Sequence, residues 1–120
     1  MIQTIRDLIF GTAKTKSVEA SREGRARSSK WDSVRKKHLQ IQPSCQACGN
    51  TKNVSVHHIL PFHLRPDLEL DPSNLLSLCE DGPNCHLTWG HLLDWKQYNP
   101  QVVNDSALYL SRLKQYRIHR

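Results

Sequence analysis

At 120 residues, 38% of them hydrophobic, the chain has room for one small domain with a modest core, so an added staple such as a metal ion is expected. The net charge of +6 is unevenly spread: residues 1–40 carry ten Lys and Arg against four Asp and Glu, residues 41–100 three against six, and residues 101–120 four against one. Basic ends around a mildly acidic middle fit polyanion binding by the flanks and cation binding by the centre, with solvated surface charge as the plain alternative. Ile2 to Phe10 is too short and too interrupted by charge for a signal peptide or a membrane span, which predicts a cytoplasmic protein, bacterial or phage in a host cell, with no membrane partner. In that compartment four cysteines hold metal rather than disulfides.

In chain order, Ile2, Ile5, Leu8 and Ile9 recur at helical spacing and predict a short amphipathic helix that Gly11-Thr12 ends. Residues 13–29, rich in Ser, Lys, Arg and Gly, read as a basic arm, so residues 1–29 form one region and residues 30–120 the folded domain. Ser28 or Ser29 offers an N-cap for a helix from about Lys30 to Gln40, with Trp31, Val34, His38 and Leu39 inward. Arg25, Arg27, Lys30, Arg35, Lys36 and Lys37 are the candidate phosphate contacts, which would position nucleic acid without reading its sequence.

Cys45-Gln46-Ala47-Cys48-Gly49 predicts a metal knuckle, with Gly49 permitting the turn. The β-branched run Val54 to Ile59 predicts a strand, and Leu75 to Leu78 a second that returns antiparallel to it. Pro61, Pro66 and Pro72 make residues 60–73 a long loop. Asn84 caps a predicted helix from His86 to Tyr98, and a last helix runs from about Asp105 to Arg117, with Ala107, Leu108, Leu110, Leu113 and Tyr116 available for packing. Trp31, Trp89 and Trp95 read as core residues rather than base-stacking ones.

Cys45, Cys48, Cys79 and Cys85 form one candidate tetrahedral site for a structural Zn²⁺. The histidines and asparagine between and after them suit a second, hydrolytic metal site. His91 is a candidate third imidazole there, or a half-buried surface histidine. Five residues of α-helix turn through about 500°, leaving His91 about 140° from His86, so both could face one ion only if His86 sat at a non-helical start. Adjacent His57 and His58 would leave opposite faces of a strand, so one site for both calls for a bulge or a frayed strand end. His63 reads as an exposed loop residue, and His38 and His119 as surface residues.

The ordered set Cys45-x-x-Cys48, Val56-His57-His58-Ile59-Leu60-Pro61, Asn74-Leu75-Leu76-Ser77-Leu78-Cys79 and Cys85-His86 resembles the HNH endonucleases. Arg27-Ser28-Ser29-Lys30-Trp31, with Pro43 ahead of the first cysteine, is similar to the lead-in of small phage and bacterial members. The resemblance covers about residues 45–98 and implies an α+β fold with a ββα-metal core, a two-stranded antiparallel ribbon plus a helix, stapled here by the four-cysteine zinc site and flanked by helices. It implies a metal-dependent endonuclease that hydrolyses DNA. His58 would be the general base, His57 and His86 ligands of a catalytic divalent ion (Mg²⁺, Mn²⁺, Ni²⁺ or Zn²⁺), and Asn74 the residue that holds the loop and orients His58. Three features depart from the family pattern. His57 stands where many members have Asp, which favours softer ions. The gap from Cys79 to Cys85 is long, and Leu87-Thr88-Trp89-Gly90-His91 replaces a common lysine. Two other readings stand beside the enzyme: a zinc-stapled nucleic-acid-binding module without activity, and an accessory within a phage packaging complex. A domain this small suggests low sequence specificity, or a partner protein that supplies it.

Overall fold

The computed structural model describes residues 27–119. The expected N-terminal helix, most of the basic arm and Arg25 lie outside these residues. The element order is helix α1 (Trp31–Ile41), strand β1 (Val54–His58), two single 3₁₀ turns (Pro66–Leu68 and Pro72–Asn74), strand β2 (Leu75–Cys79), a π-helical turn (His86–Gly90) and helix α2 (Val102–His119). β1 and β2 form a two-stranded antiparallel ribbon that pairs Val54 with Cys79, Val56 with Ser77, His57 with Leu76 and His58 with Leu75. With the four-cysteine cluster described below, this is the small α+β architecture of the ββα-metal type. Among the described residues no helix is long and apolar enough to cross a membrane.

The α1 start differs slightly from expectation. Lys30 is the capping residue and supplies no side-chain bond; Ser28 Oγ instead accepts the Lys30 N–H, one position early. Trp31, Val34, His38 and Leu39 are half-buried, as their spacing requires, and no α1 residue is fully buried. His38 is less of a surface residue than expected, because its ring bonds to Gln42 Oε1. Gln42 ties the end of α1 to the free edge of β2: its Oε1 accepts the Ser77 N–H and its carbonyl accepts the Ser77 hydroxyl. Gln46 N–H then donates to the Ser77 carbonyl, so the edge is closed by side chain and knuckle rather than by a third strand.

The core is small and centres on sulfur. Cys45, Ala47, Leu76, Leu78, Cys79, Cys85 and Val102 form the buried cluster, with Cys48, Ile59, Trp89 and Tyr109 packed against it. α2 begins three residues earlier than its sequence pattern suggested, and its inward face is Val102, Ser106 and Tyr109, with Leu110 and Leu113 of the expected set half-buried beside them. Ala107, Leu108 and Tyr116 are exposed, because only the first turns of α2 reach the cysteine cluster and the remainder projects past it.

The predicted helix from His86 to Tyr98 is absent beyond Gly90. Leu92 and Leu93 both have positive φ (54° and 69°), which no helix tolerates. The carbonyls that a continuing helix would have used are taken by Asn99: its backbone N–H donates to the Gly90 carbonyl and its side-chain amide to the Trp89 carbonyl. Leu78 is fully buried against the cluster. Leu78→Ala should therefore cost about 2–5 kcal/mol, read as a lowered thermal midpoint of the zinc-loaded protein; an unchanged midpoint would mean that this core contributes little to stability.

Candidate metal centres and active site

Two groups of metal-ligating side chains emerge from this scaffold. In the first, one sulfur from each of Cys45, Cys48, Cys79 and Cys85 lies within 4.8 Å of every other, and none is in a disulfide. Cys48 Sγ and Cys79 Sγ are 3.6 Å apart, close to the roughly 3.8 Å edge of a tetrahedron with Zn–S bonds of about 2.3 Å. The knuckle directs the N–H groups of Ala47 and Cys48 at Cys45 Sγ. Gly49, at φ 83°, closes the turn by donating its N–H to the Cys45 carbonyl. A hydrogen bond from the Cys85 thiol, helped by those backbone donors, holds Cys45 down to about 4, and the same pairing pushes Cys85 up. The pairing favours thiolate at Cys45 alone, since burial pushes Cys48 up as well; the convergence of four sulfurs is what fits a structural zinc. The long gap between Cys79 and Cys85 is spanned by the Asp81–Asn84 turn, with Gly82 and Asn84 both at positive φ.

In the second group, one ring nitrogen from each of His57, His86 and His91 lies within 4.8 Å of the others. The hydrogen bonds decide which nitrogen is free. His86 Nδ1 faces the Glu80 carboxylate at 2.9 Å and Ser55 Oγ at 3.1 Å. His91 Nδ1 faces the Gln97 carbonyl at 2.7 Å. Carboxylates and carbonyls only accept, so both Nδ1 atoms carry the proton and both Nε2 atoms present lone pairs. His57 Nε2 is buried with no partner among the described residues. A buried polar atom left unbonded calls for a ligand, and three inward imidazoles suit a divalent transition metal. Burial, followed by the neighbouring imidazoles, holds His57 far below the usual histidine range, and burial also lowers His86.

The π turn explains how His86 and His91 converge. Its i→i+5 bonding widens the coil, so the fifth residue returns close to the first instead of lying well round the axis. Their ring centroids are 4.9 Å apart. Gly90 makes room: a Cβ there would sit 2.9 Å from His57 Cε1.

His57 and His58 do leave opposite faces of β1, yet no bulge is needed. The ladder runs unbroken through both. His57 points to the π turn; His58 packs on Trp31 of α1, with ring centroids 4.5 Å apart. His58 Nε2 faces the Glu69 carbonyl at 2.9 Å, so it carries the proton, while Nδ1 receives a long contact of 3.4 Å from Arg27 Nη1. Burial holds His58 down to about 4, the nearby Arg27 and His86 charges add to this, and the Glu69 carbonyl opposes it. A cavity of about 360 Å³ at the ribbon edge is lined by Arg27, His58, Phe62, His86, His91 and Trp95, among others.

Asn74 ties the loop to the ribbon. Its amide donates to the carbonyls of Leu60 and Leu68, and its Oδ1 accepts the Leu60 N–H. Fixing Leu68 fixes the Glu69 carbonyl that orients His58. Glu69 itself, which sequence reasoning missed, is buried and accepts the Ser28 N–H on both carboxylate oxygens. It thereby brings Arg27 to the cavity, 3.9 Å from its own Oε2. The only signal was an acid between Leu68 and Leu70, in a stretch where Asp67 and Asp71 are acidic too. Among the described residues, the other candidate phosphate contacts do not converge on the cavity. Lys30 and Lys37 are exposed, and Arg35 and Lys36 both pair with Asp32 on the outer face of α1. His63 is exposed at the cavity mouth.

The family model for HNH endonuclease matches residues 45–91, from the first cysteine to the third clustered histidine. This segment is an HNH domain. The match implies a nucleic-acid substrate for the HNH domain. No curated protein and no solved structure matches the chain.

Gly90→Ala should displace His57 and weaken binding of Ni²⁺ or Co²⁺ at the imidazoles by roughly tenfold or more, while the four-cysteine zinc and the far-ultraviolet spectrum persist. Calorimetric titration reads this directly; wild-type affinity would show that the close approach of Gly90 is not required.

Proposed function

We propose that the HNH domain is a metal-dependent endonuclease that hydrolyses phosphodiester bonds in DNA by nicking or double-strand cleavage, with His58 as general base. The observation that carries this reading is a three-imidazole cluster with an unbonded His57 Nε2, two of whose members, His86 and His91, share one cavity with the separately oriented His58. A binding module has no use for convergent imidazoles with a buried, unbonded ring nitrogen among them.

In this reading the Glu69 carbonyl keeps the proton on His58 Nε2, so Nδ1, which lies 3.4 Å from Arg27 Nη1, is the basic atom. A neutral imidazole so held takes a proton from the water that attacks phosphorus. Asn74 acts on His58 only through the loop. Arg27, steadied by the Trp31 and Phe62 rings at 5.4 and 5.1 Å, offers a guanidinium to a phosphate oxygen. His57, His86 and His91 would hold the catalytic ion. A divalent ion there would neutralise phosphate charge and stabilise the departing 3′ oxygen. With no carboxylate in that set, Mn²⁺, Ni²⁺ or Zn²⁺ should serve better than Mg²⁺. Residues 30–120 are assigned as the nuclease domain around a core at 45–98, with residues 1–29 as an N-terminal helix and basic arm.

Supercoiled plasmid with Mg²⁺, Mn²⁺, Ni²⁺, Zn²⁺ or EDTA, wild type beside His58→Ala, tests the reading. Metal-dependent nicking or linearisation should fall by about 10²–10⁴-fold in the variant, with DNA affinity retained. If folded, zinc-loaded protein cleaves with none of these ions, the domain is a binding or packaging module instead.

Arg27→Met should weaken DNA binding and lower the slope of log K against log salt by about one. An unaltered slope would remove Arg27 from the phosphate contacts.

A further inference from the structure

Trp95 is the one tryptophan that defies its expected place in the core. It is 54% exposed, and Leu92 and Leu93 just before it are 50% and 70% exposed. An apolar trio this open is ordinarily a flexible tip, but here backbone bonds hold the loop on both sides of Trp95. Leu93 N–H donates to the Leu87 carbonyl, Asp94 N–H to the His91 carbonyl, and Gln97 N–H to the Asp94 carbonyl. The Gln97 carbonyl closes the loop on His91 Nδ1. Leu92 and Leu93 accept left-handed backbone to make this path, a conformation that bulky residues rarely adopt. The loop presents a fixed indole to solvent.

Its position is specific. The Trp95 ring centroid lies 4.8 Å from that of His91 and 5.1 Å from that of His86. The indole therefore forms one wall of the His58 cavity, with Arg27 and Phe62 among the other lining residues. At about 360 Å³ the cavity exceeds what a phosphate group needs and has room for part of a nucleotide. One cation for the phosphate and a flat aromatic face beside it is the pairing that single-strand binders use.

We propose that Trp95 is a stacking platform for an unpaired base next to the phosphate held in the histidine cavity, so that the site takes single-stranded DNA in preference to intact duplex. The proposal rests on the reading of that cavity as a phosphodiester site. In duplex DNA the bases flanking a phosphate are stacked inward, and one can reach an aromatic wall beside the phosphate only after unstacking. That cost is least in a single strand. A protein partner fits the same patch less well, since covering Trp95 would close the cavity that His58, His86 and His91 share.

The test is fluorescence anisotropy of zinc-loaded full-length protein with a short labelled single strand and a hairpin duplex of related sequence, without added divalent ion. Wild type should bind the single strand more tightly. Trp95→Ala should lose roughly 5- to 150-fold in single-strand affinity, the loss expected for one base–aromatic stack, with duplex affinity within about twofold; Trp95→Phe should restore most of it. A single strand carrying 2-aminopurine should be quenched by wild type and not by Trp95→Ala. Single-strand affinity unchanged in Trp95→Ala, or lost equally for duplex, overturns the platform. Cleavage is scored separately on both substrates. Stacking-dependent binding without cleavage supports the platform and sinks the nuclease reading, whereas cleavage with Trp95→Ala binding like wild type does the reverse.

Discussion

Everything in this fold hangs on four sulfur atoms. An isolated two-stranded ribbon is barely stable in water, and the buried cluster beneath this one holds only Ala47, Leu76, Leu78 and Val102 besides three of the cysteines. Apolar burial on that scale does not offset the ordering of the chain around it. A zinc ion held by four thiolates can add roughly 10–16 kcal/mol in small modules. The cysteines also sit where they fix the ribbon: Cys45 and Cys48 before β1, Cys79 at the end of β2 opposite Val54, and Cys85 at the start of the π turn. Holding Cys79 and Cys85 sets the path of the chain into His86, and the ladder from Cys79 and Val54 carries that register to His57. The imidazole cluster is thus built outward from the thiolate cluster.

The two clusters divide the work by donor chemistry. Thiolates make a closed, buried site with no position left over, which suits a structural ion. His86 and His91 sit at the rim of an open cavity, with His57 buried behind them, and the outer bonds of the first two to Glu80, Ser55 and Gln97 orient them without consuming the inward nitrogens. His58 stands apart from both. It is on the other face of the same strand and is oriented by a backbone carbonyl, so its proton chemistry and the metal chemistry proposed beside it are held by separate parts of the fold. The basic residues divide likewise. Arg27 is drawn to the cavity by Glu69 and two aromatic rings, while Arg35 and Lys36 remain on the outside of α1.

Where sequence pattern and structure agree, short-range chemistry decides the outcome. The Cys45–Cys48 knuckle, the β-branched run of β1 and the two-strand return follow from local residue types. The convergence of the imidazoles does not. A helical reading of residues 86–98 assigns the α period and puts His86 and His91 apart. The wide turn that brings them together depends on Gly90 yielding space to His57, a contact between segments some thirty residues apart in the chain. Glu69 was illegible for a related reason, since its partner Ser28 lies 41 residues away in the chain. The exposed face of α2 and the outward Trp95 both follow from how little of the chain the cysteine core can cover. Amphipathic spacing reports which residues could be buried and carries no information on how far a core extends.

The account stands or falls on there being two metal sites of different character in one small domain. Native mass spectrometry of the wild-type protein during stepwise chelation measures this most directly, with circular dichroism followed in parallel. The account predicts two bound ions. The first should leave with a weak chelator and no change in secondary structure, and the second only with a strong chelator and concurrent unfolding. A single ion whose removal unfolds the chain, with no second ion retained at any metal concentration short of nonspecific binding, would contradict it.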